Sequence, residues 1–360
     1  MTRLTEEQIG LRDVVRSLLA RRSDSAAVRK AVETTRGYDE ALWAVLCEQI
    51  GVAALSIPEH YGGIGVGLLE THLVLEELGR TLTPSPLLGS AVLAAQTLVA
   101  LGDEAACTRL LPSIAEGRTV AGLCWAGRDG RWDPVIAAVE ADGTTLTGET
   151  QYVLDGDYAD VLLVVARAGD ELALFEVDPA QPGVARAHTP TMDLTRRLAV
   201  VTLDGAVGRR LGTGDASAAL AQVRDIACIA LSAEQVGGAV RILDMTIEYS
   251  KMRVQFGRPI GSFQALKHRM ADLHVLVEAA RSASYAAVAG TIDASVAKAY
   301  CSETFFTVAA EAIQLHGGIA ITWSHDAHLY FKRAHGAAQL FGQPGEHVTR
   351  MAAMAGIEER

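Results

Sequence analysis

The stretch "RVQFGRPIGSFQ", Arg253 to Gln264, interrupts a long run of helical periodicity and is too richly furnished for a simple linker. A connection between two packed helices needs a stop signal, which Gly257 and Pro259 supply. It has no need of the pairs of arginines, glutamines and phenylalanines also found there. An arginine fork matches a pyrophosphate, and a phenylalanine offers a face or edge to a base, so the turn has the chemistry of a nucleotide contact. Upstream, Asp215 to about Arg253 reads as one long helix with an apolar stripe. Downstream, Ser262 is placed to N-cap "FQALKHRMADLHVLVEAARSASYAAVAG". Asp293 to His316 reads as a third helix closed by Gly317-Gly318, and Ser324 as the cap of a fourth, "HDAHLYFKRAHGAAQLF". Short connections between them predict an antiparallel four-helix bundle over 209–360.

Outward from the bundle the texture changes twice. Residues 119–208 break into short β-rich runs ("TVAGLCW", "VIAAVEA", "TTLTGETQYV", "DVLLVVAR", "ELALFEVD", "GVARAHT", "RLAVVTLDG") separated by Gly, Asp and Pro turns, which predicts a small antiparallel β domain. Residues 1–118 return to helical spacing in "EEQIGLRDVVRSLLARR", "YDEALWAVLCEQIG" and "LLETHLVLEELGR". The expected class is α+β, mainly α: helical bundle, β domain, helical bundle. The glycine-rich "IPEHYGGIGVG" lacks the G-x-G-x-x-G spacing and follows no strand, so it is not a dinucleotide fingerprint.

Composition narrows the function. A net charge of −11 over 360 residues argues against a nucleic-acid surface. No uninterrupted apolar run is of membrane-spanning length, and the acidic, amphipathic N-terminus is unlike a signal peptide, so a cytoplasmic location is expected. Cys47, Cys107, Cys124, Cys228 and Cys301 are widely spaced and form no C-x-x-C pair, as in reduced, buried thiols.

Three segments, "IPEHYGGIGVG…EELGR", "MRVQFGRPIGSFQALKHRMADL" and "QLHGGIAITWSHDAHLYFKRA", stand in the order and at the separations of the acyl-CoA dehydrogenases, which the chain resembles over essentially its whole length. The resemblance implies FAD as cofactor and desaturation of an acyl-CoA thioester to the 2,3-enoyl-CoA. It also implies tetrameric assembly and an electron-transferring flavoprotein as electron acceptor. In that family the R-x-x-F turn reaches across to FAD held mainly by a neighbouring subunit; its positions match Arg253, Gln255, Phe256, Phe263 and Gln264. A second stretch approaching the same cofactor matches Gln314, His316, Gly317 and Gly318.

The chain departs from the family at two places. Where most members carry T-E-P-x-x-G-S for the flavin ring and phosphates, it reads "GLCWAGRDG" (Gly122 to Gly130), and for W-I-T it reads "YVLDG", with Tyr152 and Leu154. The catalytic glutamate is missing from both places the family uses: "LFGQP" (Leu340 to Pro344) holds no acid, and the helical alternative falls on Ala227. Glu234, two turns on along the same helix face, is the remaining candidate base, with Glu346 behind it; Asp225 faces another side. Elements offered to a neighbour's flavin are thus kept, while those that would hold the chain's own ring are lost. The expectation is the partner-type subunit of a heterotetramer like the α2β2 acyl-CoA dehydrogenases of steroid degradation. A homotetramer with a variant flavin pocket and a flavin-free structural subunit are the alternatives. Small residues in "QVGGA" favour room for a bulky acyl group. Trp323 is expected in the core, Lys332 and Arg333 on a solvated helix face. His325 and His328 lack a third metal ligand.

Overall fold

A computed structural model describes residues 4–133 and 135–357. The N-terminal segment contains α1 (Glu6–Arg22), α2 (Ser25–Val32), α3 (Glu40–Val45), α4 (Leu68–Thr81), α5 (Ala95–Leu101) and α6 (Glu104–Ala115). A capping box between Thr5 and Gln8 starts α1, and Asp24, Asp39 and Asp103 N-cap α2, α3 and α6.

Eight strands follow: β1 (Ala121–Cys124), β2 (Val139–Asp142), β3 (Thr145–Leu154), β4 (Val161–Ala168), β5 (Glu171–Val177), β6 (Val184–His188), β7 (Leu198–Val207) and β8 (Arg209–Leu211). All seven expected runs contain a strand. They join β8 in one sheet, ordered β6-β7-β3-β2-β4-β5-β8, with β1 on β4. The sheet is not wholly antiparallel as expected, because β1 and β2 both pair β4 in parallel. The run "LLVVA" in β4 looks continuously apolar because both faces are covered. Leu162, Val164 and Ala166 point into the sheet interior, whereas Val161, Leu163 and Val165 pack with the helices.

The C-terminal segment is α7 (Ser217–Met252), a hairpin of β9 (Val254–Gln255) and β10 (Arg258–Pro259), α8 (Gln264–Val288), α9 (Ala294–His316) and α10 (Ala327–Gln339). A fifth helix, α11 (Pro344–Met354), was not expected. Neither serine caps its helix. Ser262 sits in a 3-10 turn and donates to the Pro259 carbonyl (2.7 Å), while Ser324 bonds the Thr322 hydroxyl (2.8 Å). His325 Nδ1 accepts the Ala327 amide instead (3.1 Å).

The glycines of "QVGGA" do not open a pocket. A Cβ on Gly237 would strike the Glu76 carbonyl, one on Gly79 the backbone of Glu234, and one on Gly238 the Phe305 ring. Here α4 and α7 cross backbone to backbone, so glycine is required by close approach. By length and composition, the helical segments 217–252 and 294–321 are apolar enough to cross a membrane, contrary to the reading of interrupted runs. Both belong to the bundle, which buries 72% of the apolar window in the first and 39% in the second.

Candidate functional site

The Arg253–Gln264 stretch forms a miniature hairpin at the end of α7. The Arg253 amide still donates to the Tyr249 carbonyl (2.9 Å), after which Gln255 pairs with Arg258 across β9 and β10. The turn residues Phe256 and Gly257 both have positive φ, 52° and 75°. A two-residue hairpin turn demands that geometry, and Gly257 adopts it freely, whereas Phe256 does so at about 1 kcal/mol. Yet Phe256 is 91% exposed, so packing within this chain does not offset the strain. Phe256 meets the edge of Phe263 (6.1 Å between centroids), over whose ring the Arg258 guanidinium stacks at 4.0 Å. Phe263 is half-buried; Arg253, Gln255 and Gln264 project into solvent with every residue from Lys251 to Pro259.

Gln314, Gly317 and Gly318 are exposed at the C-terminal end of α9, and the two glycines have open space around them. His316 is buried: its Nδ1 donates to the Ala312 carbonyl (2.8 Å), and Nε2 has no partner. Its ring stacks on Tyr249 (4.5 Å) and leans on His325 (4.6 Å). Because Tyr249 also accepts the Arg253 amide, the two expected cofactor stretches are locked together at one end of the bundle. His316 forms the packing layer behind the exposed groups.

The three stretches expected to frame a flavin ring and base also converge, with aromatic rings packed among them and a cavity of about 280 Å³ beside Trp132 and Phe341, lined also by Arg131, Arg224, Glu346 and Arg350. Trp125, Trp132 and Phe341 are buried and meet edge to face, at 5.8 Å between the indoles and 4.9 Å from Trp132 to Phe341. The Trp125 indole donates to the Asp133 carbonyl (2.9 Å), and Tyr152 closes over Gly130. Phe341 occupies the middle of "LFGQP" at φ 58°. The buried Lys298 ammonium holds that segment, donating to the Ala338 and Gly342 carbonyls (3.1 and 2.9 Å) and to Ser302 (3.1 Å). Burial lowers the Lys298 pKa to about 8. On the helical alternative, Ala227 is buried beside Cys228, whose thiol burial pushes up to about 12. Trp125, Trp132 and Phe341 stand where the family's threonine, serine and base positions would fall, and the acids nearest them, Asp133 and Glu346, line the cavity beside them.

Glu234 lies elsewhere, where the three segments of the chain meet. Its Oε2 is paired with Arg196 and lies 3.4 Å from Arg333. Arg333, expected on a solvated face, is buried; it also binds Asp193 (2.7 Å) and the Thr195 carbonyl and hydroxyl (2.7 and 2.6 Å). A cavity of about 30 Å³, room for one water, remains beside these groups and Asp155. Glu346 lies against Gly342 in the first turn of α11, and Asp225 is held by Arg350 (2.8 and 3.2 Å). His325 and His328 point to different neighbours, His316 and Trp323. Among the described residues no three His, Cys, Asp or Glu side chains are grouped to hold a metal. The Arg196 and Arg333 contacts, and those of Lys298 with the Ala338 and Gly342 carbonyls, were illegible in sequence, since the partners lie tens of residues away.

Comparison with known proteins agrees with the resemblance. Residues 5–118 match the acyl-CoA dehydrogenase N-terminal domain and residues 216–354 the C-terminal domain. Acyl-CoA dehydrogenase IpdE2 of Mycolicibacterium smegmatis is 44% identical over 352 residues, covering 97% of this chain and 99% of that protein. Among solved structures, the ChsE4-ChsE5 complex from Mycobacterium tuberculosis superposes with a TM-score of 0.90 at 30% identity, covering all of both chains. The Tcur3481-Tcur3483 steroid ACAD gives 0.87 at 29% identity over 98% of each.

Proposed function

The chain belongs to the acyl-CoA dehydrogenase family, and from that premise we propose that it is the partner-type subunit of a heteromeric enzyme desaturating a bulky, steroid-like acyl-CoA. One observation carries the reading: the hairpin read as a nucleotide contact is exposed with a positive-φ phenylalanine at its turn, while Trp125, Trp132 and Phe341 pack together where the family's ring-framing stretches converge. The two similar solved assemblies bear paired subunit names, and one is described as a steroid enzyme.

Arg253 would pair with the FAD pyrophosphate, with Phe256 and Phe263 against its flat groups. Gln255, Gln264 and Gln314 would donate and accept at its rim, with Gly317 and Gly318 allowing close backbone approach. His316 fixes this surface from behind. FAD, when bound, supplies the hydride acceptor, and an electron-transferring flavoprotein reoxidises it. The base that takes the α proton comes from the companion chain. Glu234, clasped by two guanidiniums, joins segments of this one. Five buried, unpaired thiols fit a reducing compartment, and we assign the chain to the cytoplasm.

The test is co-expression with a companion acyl-CoA dehydrogenase chain that bears the catalytic glutamate, followed by native mass and flavin stoichiometry. The complex should be yellow and the chain alone flavin-poor. Arg253→Ala should weaken FAD retention by the complex about tenfold or more, the scale of a lost charged hydrogen bond, without changing its mass. A yellow, active homotetramer with one FAD per chain would sink the proposal.

A further inference from the structure

The cavity of about 280 Å³ beside Trp132 and Phe341 contains a charge that the protein itself leaves unanswered. Arg131 from the loop after β1, Arg224 on α7 and Arg350 on α11 all line it. Arg350 is engaged, since it holds Asp225 through two hydrogen bonds (2.8 and 3.2 Å). Arg224 is not. Its side chain is only 18% exposed, its Nε has no partner, and the nearest carboxylate, Asp225, stands 3.8 Å away, beyond hydrogen-bonding reach. A guanidinium carries five donors in a fixed fork, and one largely removed from water with no anion in that fork is a costly feature to keep.

The acids at the cavity do not complete the pair. The Asp133 carboxylate accepts the Val135 amide (3.0 Å), and Glu346 is exposed in the first turn of α11. The inner wall is electropositive. His347 donates Nε2 to the Phe341 carbonyl (2.9 Å) and its Nδ1 has no partner; burial, with Lys298, Arg350 and Arg224 close by, holds its pKa down to about 4. Flat apolar surface completes the lining. Trp132 is buried, in contrast to Trp323, which was expected in the core and is 61% exposed. An arginine fork beside aromatic rings matches a carboxylate carried on a flat body. The volume, at the small end of ligand pockets, limits that body to about one ring. A thioester carbonyl carries no charge and would leave Arg224 unpaired, so the fit is to a free acid.

We propose that this cavity binds a small free carboxylic acid, its carboxylate on Arg224 and its flat body against Trp132 and Phe341. The inference does not depend on the heteromer reading. Benzoate is the probe and benzamide its uncharged analogue, measured by equilibrium dialysis on the full-length chain, purified alone or with its companion. Wild type should bind benzoate saturably and benzamide at least tenfold more weakly, and Arg224→Met should lose benzoate affinity by at least tenfold. Benzoate should raise the melting temperature of wild type and leave that of the variant unchanged. No saturable binding, equal binding of benzamide, or equal binding by Arg224→Met each overturns the proposal. Inorganic phosphate displacing benzoate at equal concentration would mean a bare anion site and overturns it too. Should the variant fold poorly, the ratio of benzoate to benzamide affinity in wild type decides alone.

Discussion

Phe256 and Phe341 share a left-handed backbone and have opposite surroundings, one bare to solvent and the other walled in by aromatic rings. Strain at Phe341 is offset by its own core, whereas strain at Phe256 is not. Phe256→Gly therefore removes about 1 kcal/mol of strain but adds a similar entropy cost in the unfolded chain, leaving stability nearly unchanged. FAD retention by the assembled enzyme should nonetheless fall severalfold in an equilibrium dialysis measurement. Full retention would reduce the ring to a turn ornament. Glu234→Gln is a contrasting change. It leaves the buried Arg196 and Arg333 without their shared anion, so it should destabilise by about 3 to 5 kcal/mol in urea titration. Were Glu234 the base, the variant would instead stay folded and lose only turnover. The exposed turn itself was readable, because Gly257 and Pro259 break the helix and arginine, glutamine and phenylalanine are conspicuous there. The role of Glu234 was unreadable, because its partners come from a β-domain loop and α10.

At the scale of elements, periodicity revealed the long helices and the seven β runs, because burial of one face is written into the spacing. What it could not show is how closely two helices approach. "QVGGA" read as spare room, yet Gly237 against the Glu76 backbone and Gly79 against the Glu234 backbone leave none of it. Gly237→Ala would push α4 away from α7 and should destabilise by about 3 kcal/mol, at the upper end of overpacking costs. Thermal unfolding is the check. Ala at Gly290, an exposed positive-φ position with open space, should cost far less, and equal losses at both positions would discredit the crossing as the cause. Helix starts misled for a related reason. A serine hydroxyl caps only if its backbone enters the helix directly, and Ser262 spends its bond on a carbonyl inside a 3-10 turn.

For the whole molecule, the order helical, β, helical was legible, but the joint that fixes the three parts was not. It lies at Asp155, fully buried at φ 58°, which accepts the Tyr158 hydroxyl (2.5 Å), while Tyr158 packs against Tyr38 of the first segment. Arg196, which clasps Glu234 on α7, lines the same small cavity. Burial raises the Asp155 pKa to about 7. The folded chain then holds a proton that the unfolded chain has released, so the stability Asp155 contributes is complete below about pH 3.8 and is lost as pH rises through 7. The buried histidines work in the other sense: burial holds His72 down to about 3 and His347 to about 4, so their contribution is lost as pH falls below about 6.5. Asparagine mimics the neutral acid, tolerates a left-handed backbone and can still accept from Tyr158. Asp155→Asn should therefore be more stable than wild type by a margin that grows from pH 5 to 7 and levels off above, reaching on the order of a few kcal/mol. Urea midpoints of both proteins across that range measure it. A margin that does not vary with pH would mean that Asp155 is ionised in the folded chain, and that charge attraction to Arg196 and Arg197, not a shared proton, holds the three parts together.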